Sequence, residues 1–183
     1  AKNIGKSMGI KVESIVFPKN QVNEPYLDVC YKHEILSFRG TEKSGIYNGK
    51  GRKGIRKNIK VIRLSRLIDA YYNLTGNNTY NVDEINKDGE IVNLPSSRFL
   101  RPYYKRLRLI ESLKVKRITN SMKHAAKNNE MFHLWWHPHN FGVDIDKNFN
   151  NLEKIFKEYQ KLKLKYEFES ITMTDLTKKI INK

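Results

Sequence analysis

The sequence predicts an α/β protein, and three observations carry that prediction. Strand-like apolar runs alternate with stretches whose apolar residues recur at helical spacing, the order expected of parallel strands joined by crossover helices. At 183 residues and 39% hydrophobic content, the chain fits one domain with its own core. Its single cysteine, Cys30, excludes an internal disulfide, so that core must hold the fold. No apolar run approaches the ~20 residues of a membrane-spanning helix. Ten glycines and five prolines exclude collagen-like and low-complexity chains.

The elements follow in order. Ile4 and Met8 mark the end of an amphipathic helix closed by Gly9. A helix under way at residue 1, with no signal-peptide core, is expected of a chain that begins inside a longer one. Residues 12–17 read as a strand ended by Pro18. Residues 24–32 read as a short helix with Pro25 in its first turn and Tyr26, Leu27 and Cys30 as its apolar face. A second strand spans 35–38 and stops at Gly40, and residues 41–56 are loop-like. Residues 57–72 are helical, with Ile59, Ile62, Leu67 and Ile68 among the apolar positions.

Residues 73–97 are the least regular stretch, broken by Gly76-Asn77-Asn78, Asp88-Gly89 and Pro95. A long amphipathic helix then runs from about 102 to 127. A strand is expected at 131–136 and a strand or extended segment at 166–171, around a helix at 148–164. Thr172 and Asp175 form a capping pair for a last helix at 175–181. Four such strands make a small open sheet or half of a (β/α) barrel. Either way, reactive groups belong at the strands' C-terminal ends.

Thirty-five basic against nineteen acidic residues give a net charge of +16, which raises nucleic-acid binding. The pattern argues against a specific site. At 154–165, Leu152, Ile155, Phe156, Tyr159 and Leu162 form a helical stripe, with lysines on the solvated face. The basic stretch at 98–116 follows the same logic, with Leu107, Ile110 and Leu113 as stripe. Only Gly49-Lys50-Gly51-Arg52-Lys53-Gly54 reads as a flexible basic loop, and it lacks the order of a phosphate-binding loop. No helix-turn-helix, zinc-finger or ribonucleoprotein signature is present.

The chemistry concentrates in one segment, Met131-Phe132-His133-Leu134-Trp135-Trp136-His137-Pro138-His139-Asn140-Phe141-Gly142. It holds three of the five histidines and both tryptophans. On a strand running into a loop, the period of two places His133, Trp135, His137 and His139 on one face. Pro138 ends the strand there, so His137 falls at the strand end and is the candidate general acid or base. His133 and His137 would stand about 13 Å apart on a strand, too far to share one ion. His133 is therefore read as a buried, hydrogen-bonded residue.

The run Phe132 to Gly142, followed by a helix and Phe168-Glu-Ser-Ile-Thr-Met-Thr-Asp-Leu176, resembles the end of a polysaccharide deacetylase. Ser14-Ile-Val-Phe-Pro-Lys-Asn-Gln-Val22 and Leu36-Ser-Phe-Arg-Gly40 are similar to the middle of the same proteins. The resemblance implies metal-dependent hydrolysis of N-acetyl groups on a sugar, on a distorted (β/α) barrel. In that family one Asp and two His hold a divalent ion, often zinc, a second Asp is the base, and a late histidine protonates the leaving amine. His137 best matches that last position.

The family's Thr-Phe-Asp-Asp-Gly and metal-binding His-x-x-x-His motifs are absent, so the metal ligands and base are expected upstream of residue 1. Its Asp-x-x-Asp-Trp segment is not recognisable. Residues 1–183 then read as the C-terminal part of a longer deacetylase domain, with no metal ligands of their own.

Asn20, Gln21, Arg39, Trp135, His139 and Asn140 are the candidate substrate contacts. The amides of Asn20 and Gln21 follow a strand and suit sugar hydroxyls, and Arg39 at a strand end suits a carboxylate. Cys30 is read as core, with no partner placed to activate it. The expected partner is an N-acetylated carbohydrate, with neither a specific nucleic acid nor a membrane span. Two alternatives remain open, a non-catalytic carbohydrate-binding relic of the fold and a basic nucleic-acid-binding module.

Overall fold

The computed structural model describes residues 2–47, 59–85, 87–88 and 90–182. The chain divides into two units, one of Ala1–Gly40, Val82–Pro95 and Ser170–Lys183, the other of Thr41–Asn81 and Ser96–Glu169. The basic loop at 49–54 lies outside the described residues.

The first unit is built on strands β1 (Ser14–Ile15), β2 (Ser37–Gly40), β3 (Lys87–Asp88) and β4 (Ile91–Pro95), in the order β1-β2-β4-β3. β1, β2 and β4 run parallel, and β3 pairs antiparallel with β4. Helix α1 (Lys2–Ser7) precedes β1 and closes as expected at Gly9, whose φ of 71° suits a residue without a Cβ. Helix α2 (Leu27–Lys32) is the crossover from β1 to β2, entered through a 3₁₀ turn at Glu24–Tyr26.

Every residue of β2 is buried, and β4 buries Ile91, Val92 and Leu94, as inner strands of a parallel sheet must. Leu27, Phe38 and Ile91 form the core, with Ile15, Phe17, Val22 and Cys30 packed against it. Asn93 covers Gly40 so closely that a Cβ there would overlap the Asn93 amide oxygen. The last helix (Met173–Ile181) packs on β2 and is capped as expected: Thr172 Oγ1 accepts from the Asp175 N–H at 3.1 Å and donates to Asp175 Oδ2 at 2.7 Å.

The second unit contains helix α3 (Ile59–Tyr71), strand β5 (Arg98–Phe99), helix α4 (Glu111–Asn128), strand β6 (Leu134–Trp135) and helix α5 (Ile145–Tyr166). β5 and β6 are parallel and joined by α4, a second crossover. Leu100, Val115, Ile118, Met122, Ala126, Phe141, Leu152, Ile155 and Leu162 form its core, centred on the α4–α5 contact. The last helix, Met173–Ile181, is α6 in chain order.

The structure is thus mixed α/β with parallel strands and crossover helices, and neither sheet closes on itself among the described residues. No helix among those residues is long and apolar enough to cross a membrane.

Several expectations are corrected. The stretch 73–97 is irregular only in part: residues 73–81 form no helix or strand beyond an isolated bridge at Tyr80, whereas the remainder supplies β3 and β4, and β5 follows directly. Of the strand or extended segment expected at 166–171, no strand forms, and residues 167–171 are a stretch without helix or strand. α5 runs on to Tyr166, Glu167 ends it in the left-handed region at φ 54°, and Phe168 turns back against Tyr159 at 6.3 Å. The helix expected from 102 starts at Glu111 instead, after a 3₁₀ turn at Lys105–Leu107, because Leu109 has no core to enter and is 89% exposed.

The basic stretch at 98–116 is not wholly solvated: Arg106, Arg108 and Lys116 are exposed, but Arg98 and Lys114 are buried. In α3 the buried residues are Asp69 and Tyr71, while Ile59 and Ile68 stay exposed. Phe156 is exposed too, although its helical stripe is otherwise largely buried.

Candidate functional site

The histidine segment forms a wall of rings. β6 pairs Trp135 with Phe99 of β5 in register, and the two rings lie 4.4 Å apart. His137 stands edge-on to both, 5.3 Å from Trp135 and 5.9 Å from Phe99, and stacks on His139 at 5.1 Å. Trp135 and His137 thus share one face, as the period of two requires, and the turn that follows stacks His139 on His137. His137 and His139 are exposed, and Trp135 is half-buried.

Trp136 points the other way, stacks on Phe141 and packs against the core. Pro138 ends the strand by opening a 3₁₀ turn, Pro138–Phe141, held by the Asn140 N–H donating to the His137 carbonyl at 3.0 Å. His133 is half-buried. Its carbonyl accepts from the Ser97 and Arg98 N–H groups, and its own N–H donates to Ser97 Oγ at 3.0 Å.

The same unit holds a set of buried charges that the sequence reading did not single out. Asp69 of α3 is fully buried. Its Oδ1 accepts from the Leu74 and Thr75 N–H groups, both at 3.0 Å. Its Oδ2 accepts from Tyr47 Oη at 2.9 Å, Thr75 Oγ1 at 2.8 Å and Arg98 Nη1 at 2.5 Å. Arg117 of α4 stands 3.7 Å from Oδ1, and both arginines donate to the Gly76 carbonyl. One carboxylate thus ties α3, α4, β5 and the turn at 73–77 together.

Glu42 is buried beside this set. Burial raises its carboxyl above the ordinary carboxylate range. Its own backbone amide, the Trp135 side chain, the Arg98 charge and the Ser96 hydroxyl all oppose that rise. Burial and the Asp69 charge likewise push the Tyr47 phenol up. The signal available in the sequence was an acid inside an apolar helical run at Asp69, and Arg98 between apolar residues and two serines. Glu42 carried no such signal, since it sits in a stretch of glycine and charge.

In the first unit, two predicted residues from separate segments meet. Asn20 ends the 3₁₀ turn Pro18–Asn20 with φ 52°, and its side-chain oxygen accepts from Arg39 Nη2 at 2.7 Å. Both lie just past or at the C-terminal ends of parallel strands, where an α/β sheet gathers its ligand contacts. Gln21 is exposed, with its backbone N–H donating to the Pro18 carbonyl at 3.1 Å. The structure therefore gathers Asn20 with Arg39, and Trp135 with His137 and His139.

Among the described residues no three His, Cys, Asp or Glu side chains cluster as a metal ion requires. His137 and His139 lie nearly parallel, 20° apart, so their rings stack rather than converge on a point. This donor set does not fit the zinc that the deacetylase resemblance implies. No family model, no curated protein and no solved structure matches the chain.

Proposed function

We propose that this chain serves the removal of N-acetyl groups from a sugar, with His137 as the group that protonates the departing amine. The observation that carries the reading is an exposed imidazole set edge-on to an aromatic wall where β6 ends. A sugar ring laid on Trp135 presents its C–H face to the indole, and His139 and Asn140 stand beside it for hydroxyl groups. Amide hydrolysis breaks the C–N bond and leaves an amine nitrogen that needs a proton. Imidazole is the side chain best suited to supply one near neutral pH.

On this reading residues 1–183 are the C-terminal part of a deacetylase catalytic domain, and Asn20, Gln21 and Arg39 are further sugar contacts. The family's divalent ion would be held by residues outside the described ones.

The test is acetate release from a panel of N-acetylated amino-sugar oligomers, using protein made from the complete reading frame. His137→Ala should lower kcat by at least ~10²-fold while KM changes little. Near-normal turnover would remove His137 from the mechanism. A second reading, glycan binding without catalysis, rests on the same exposed face of Trp135, His137 and His139, which suits a sugar ring whether or not a reaction follows. Saturable glycan binding without acetate release would put it first.

A further inference from the structure

We propose that Phe99 is a positioning residue for His137, fixing the imidazole from the neighbouring strand. The inference deepens the deacetylase reading and rests on it only for the kinetic arm of its test. Among the described residues three rings surround that of His137: His139 at 5.1 Å, Trp135 at 5.3 Å and Phe99 at 5.9 Å. All three lie within the ~4.5–7 Å over which aromatic rings attract one another. No side-chain hydrogen bond reaches the imidazole among those residues, so ring contacts set its place.

The three contacts differ in what they can fix. Trp135 and His139 belong to the same segment as His137, two residues before it and two after, and move with it. Phe99 comes from another strand, β5, where it is paired in register with Trp135. Its ring lies 4.4 Å from the indole and meets the imidazole edge-on at 62°, so it bears on both. The backbone of Phe99 is anchored on either side. Arg98 before it is buried and paired with Asp69 at 2.5 Å. Leu100 after it is buried in the core, and its N–H donates to the Trp135 carbonyl at 2.8 Å. A ring carried between two fixed neighbours is a rigid stop, whereas His137 is exposed and stands where Pro138 opens a turn. Misplacing a proton donor by about 1 Å costs up to ~10²-fold in rate, so such a stop bears on turnover without touching substrate.

The experiment compares the wild-type chain with Phe99→Leu, which removes the ring but stays apolar, and Phe99→Tyr, which keeps the ring. The chain has five histidines and two tryptophans, so the His137 and Trp135 ring signals in NMR spectra are assigned by His137→Gln and Trp136→Phe. Cross-peaks between the His137 ring and the Trp135 indole should be present in the wild type and in Phe99→Tyr. They should be lost in Phe99→Leu, although that change alters neither ring of the pair. A folded Phe99→Leu protein with those cross-peaks at wild-type strength overturns the proposal.

Should Phe99→Leu fail to fold, the wild-type chain decides. Three-bond couplings about χ1 of His137 should report one staggered rotamer, and the Phe99 ring should show cross-peaks to the His137 ring. Couplings averaged over rotamers, or no cross-peak between Phe99 and His137, overturn the proposal. In the acetate assay, Phe99→Leu should lose up to ~10²-fold in kcat at constant KM, with Phe99→Tyr restoring most of it. A raised KM at unchanged kcat would make Phe99 a sugar contact, and unchanged kinetics in an active enzyme would leave it without a role; either result overturns the proposal. Spectra as expected without acetate release from the wild type would sink the deacetylase reading and leave the positioning role standing.

Discussion

The two units bury charge in opposite ways. In the first, Glu13 is buried but meets lysines that reach in from solvent, Lys11 at 2.5 Å and Lys178 at 3.3 Å. The Lys11 hydrogen bond holds the Glu13 carboxyl below its ordinary range. In the second, Asp69, Arg98 and Arg117 are all desolvated together, as are Glu111 and Lys114 at 2.6 Å. Pairs with an exposed partner contribute little and tolerate loss, whereas a buried pair broken on one side leaves a charge with no water to solvate it. The first unit is therefore held by apolar packing across its sheet, and the second by packing plus a fixed electrostatic frame. The aromatic wall and His137 stand in the unit with the frame.

The largest effect expected from this contrast comes from Asp69→Ala. The change strands the Arg98 and Arg117 guanidiniums, frees the Tyr47 hydroxyl and releases the N–H groups of Leu74 and Thr75. Breaking one side of a buried ion pair costs about 3–5 kcal/mol, a large fraction of a domain's stability. Urea unfolding followed by circular dichroism measures it. A loss below about 1 kcal/mol would mean that the frame is no stronger than a surface ion pair, and the contrast between the units would collapse.

Leu27→Ala probes the other side of the comparison. Leu27 is buried with Phe38 and Ile91, and half-buried Val22 and Cys30 can close part of the space it leaves. The expected loss is about 2–3 kcal/mol, at the low end for such truncations because the site can relax. Urea unfolding again reads it, and amide exchange should quicken in β2 and β4. If exchange there stays at wild-type rates while global stability falls, the sheet does not depend on this core.

What the sequence revealed, and what it hid, follows the same division. The later helices were legible because α5 keeps a clean apolar stripe through Leu152, Ile155 and Leu162, with lysines on the other face. The shared face of Trp135 and His137 was legible because strand alternation is local. β4 and β5 were hidden because their neighbourhood mixes turn residues with Ser96, Ser97 and Arg98, all buried where polarity suggests solvent. Arg98 and Asp69 lie 29 positions apart in the chain and make sense only as a pair. Within the basic stretch at 98–116 nothing local sets Lys114 apart from its exposed neighbours, yet Glu111 and the Pro102 carbonyl receive it inside the protein. Buried polar groups are set by their partners, and partners distant in sequence leave no periodic trace.

The smallest effect tests the part of the molecule where local sequence should suffice. Thr172 caps α6 through its hydroxyl, which accepts from the Asp175 N–H and donates to the Asp175 carboxylate, all within four residues and at the surface. Thr172→Ala leaves that N–H to water and removes the carboxylate's partner, so the cost should be about 1 kcal/mol. Thr172→Ser keeps the hydroxyl and should stay within a few tenths of wild type. The pair of variants isolates the cap from side-chain packing, because both remove the methyl group. A loss as large as that of Asp69→Ala would show that α6 is coupled to more than its own first turn. Equal losses in the two variants would assign the effect to the methyl group and not to the hydrogen bonds.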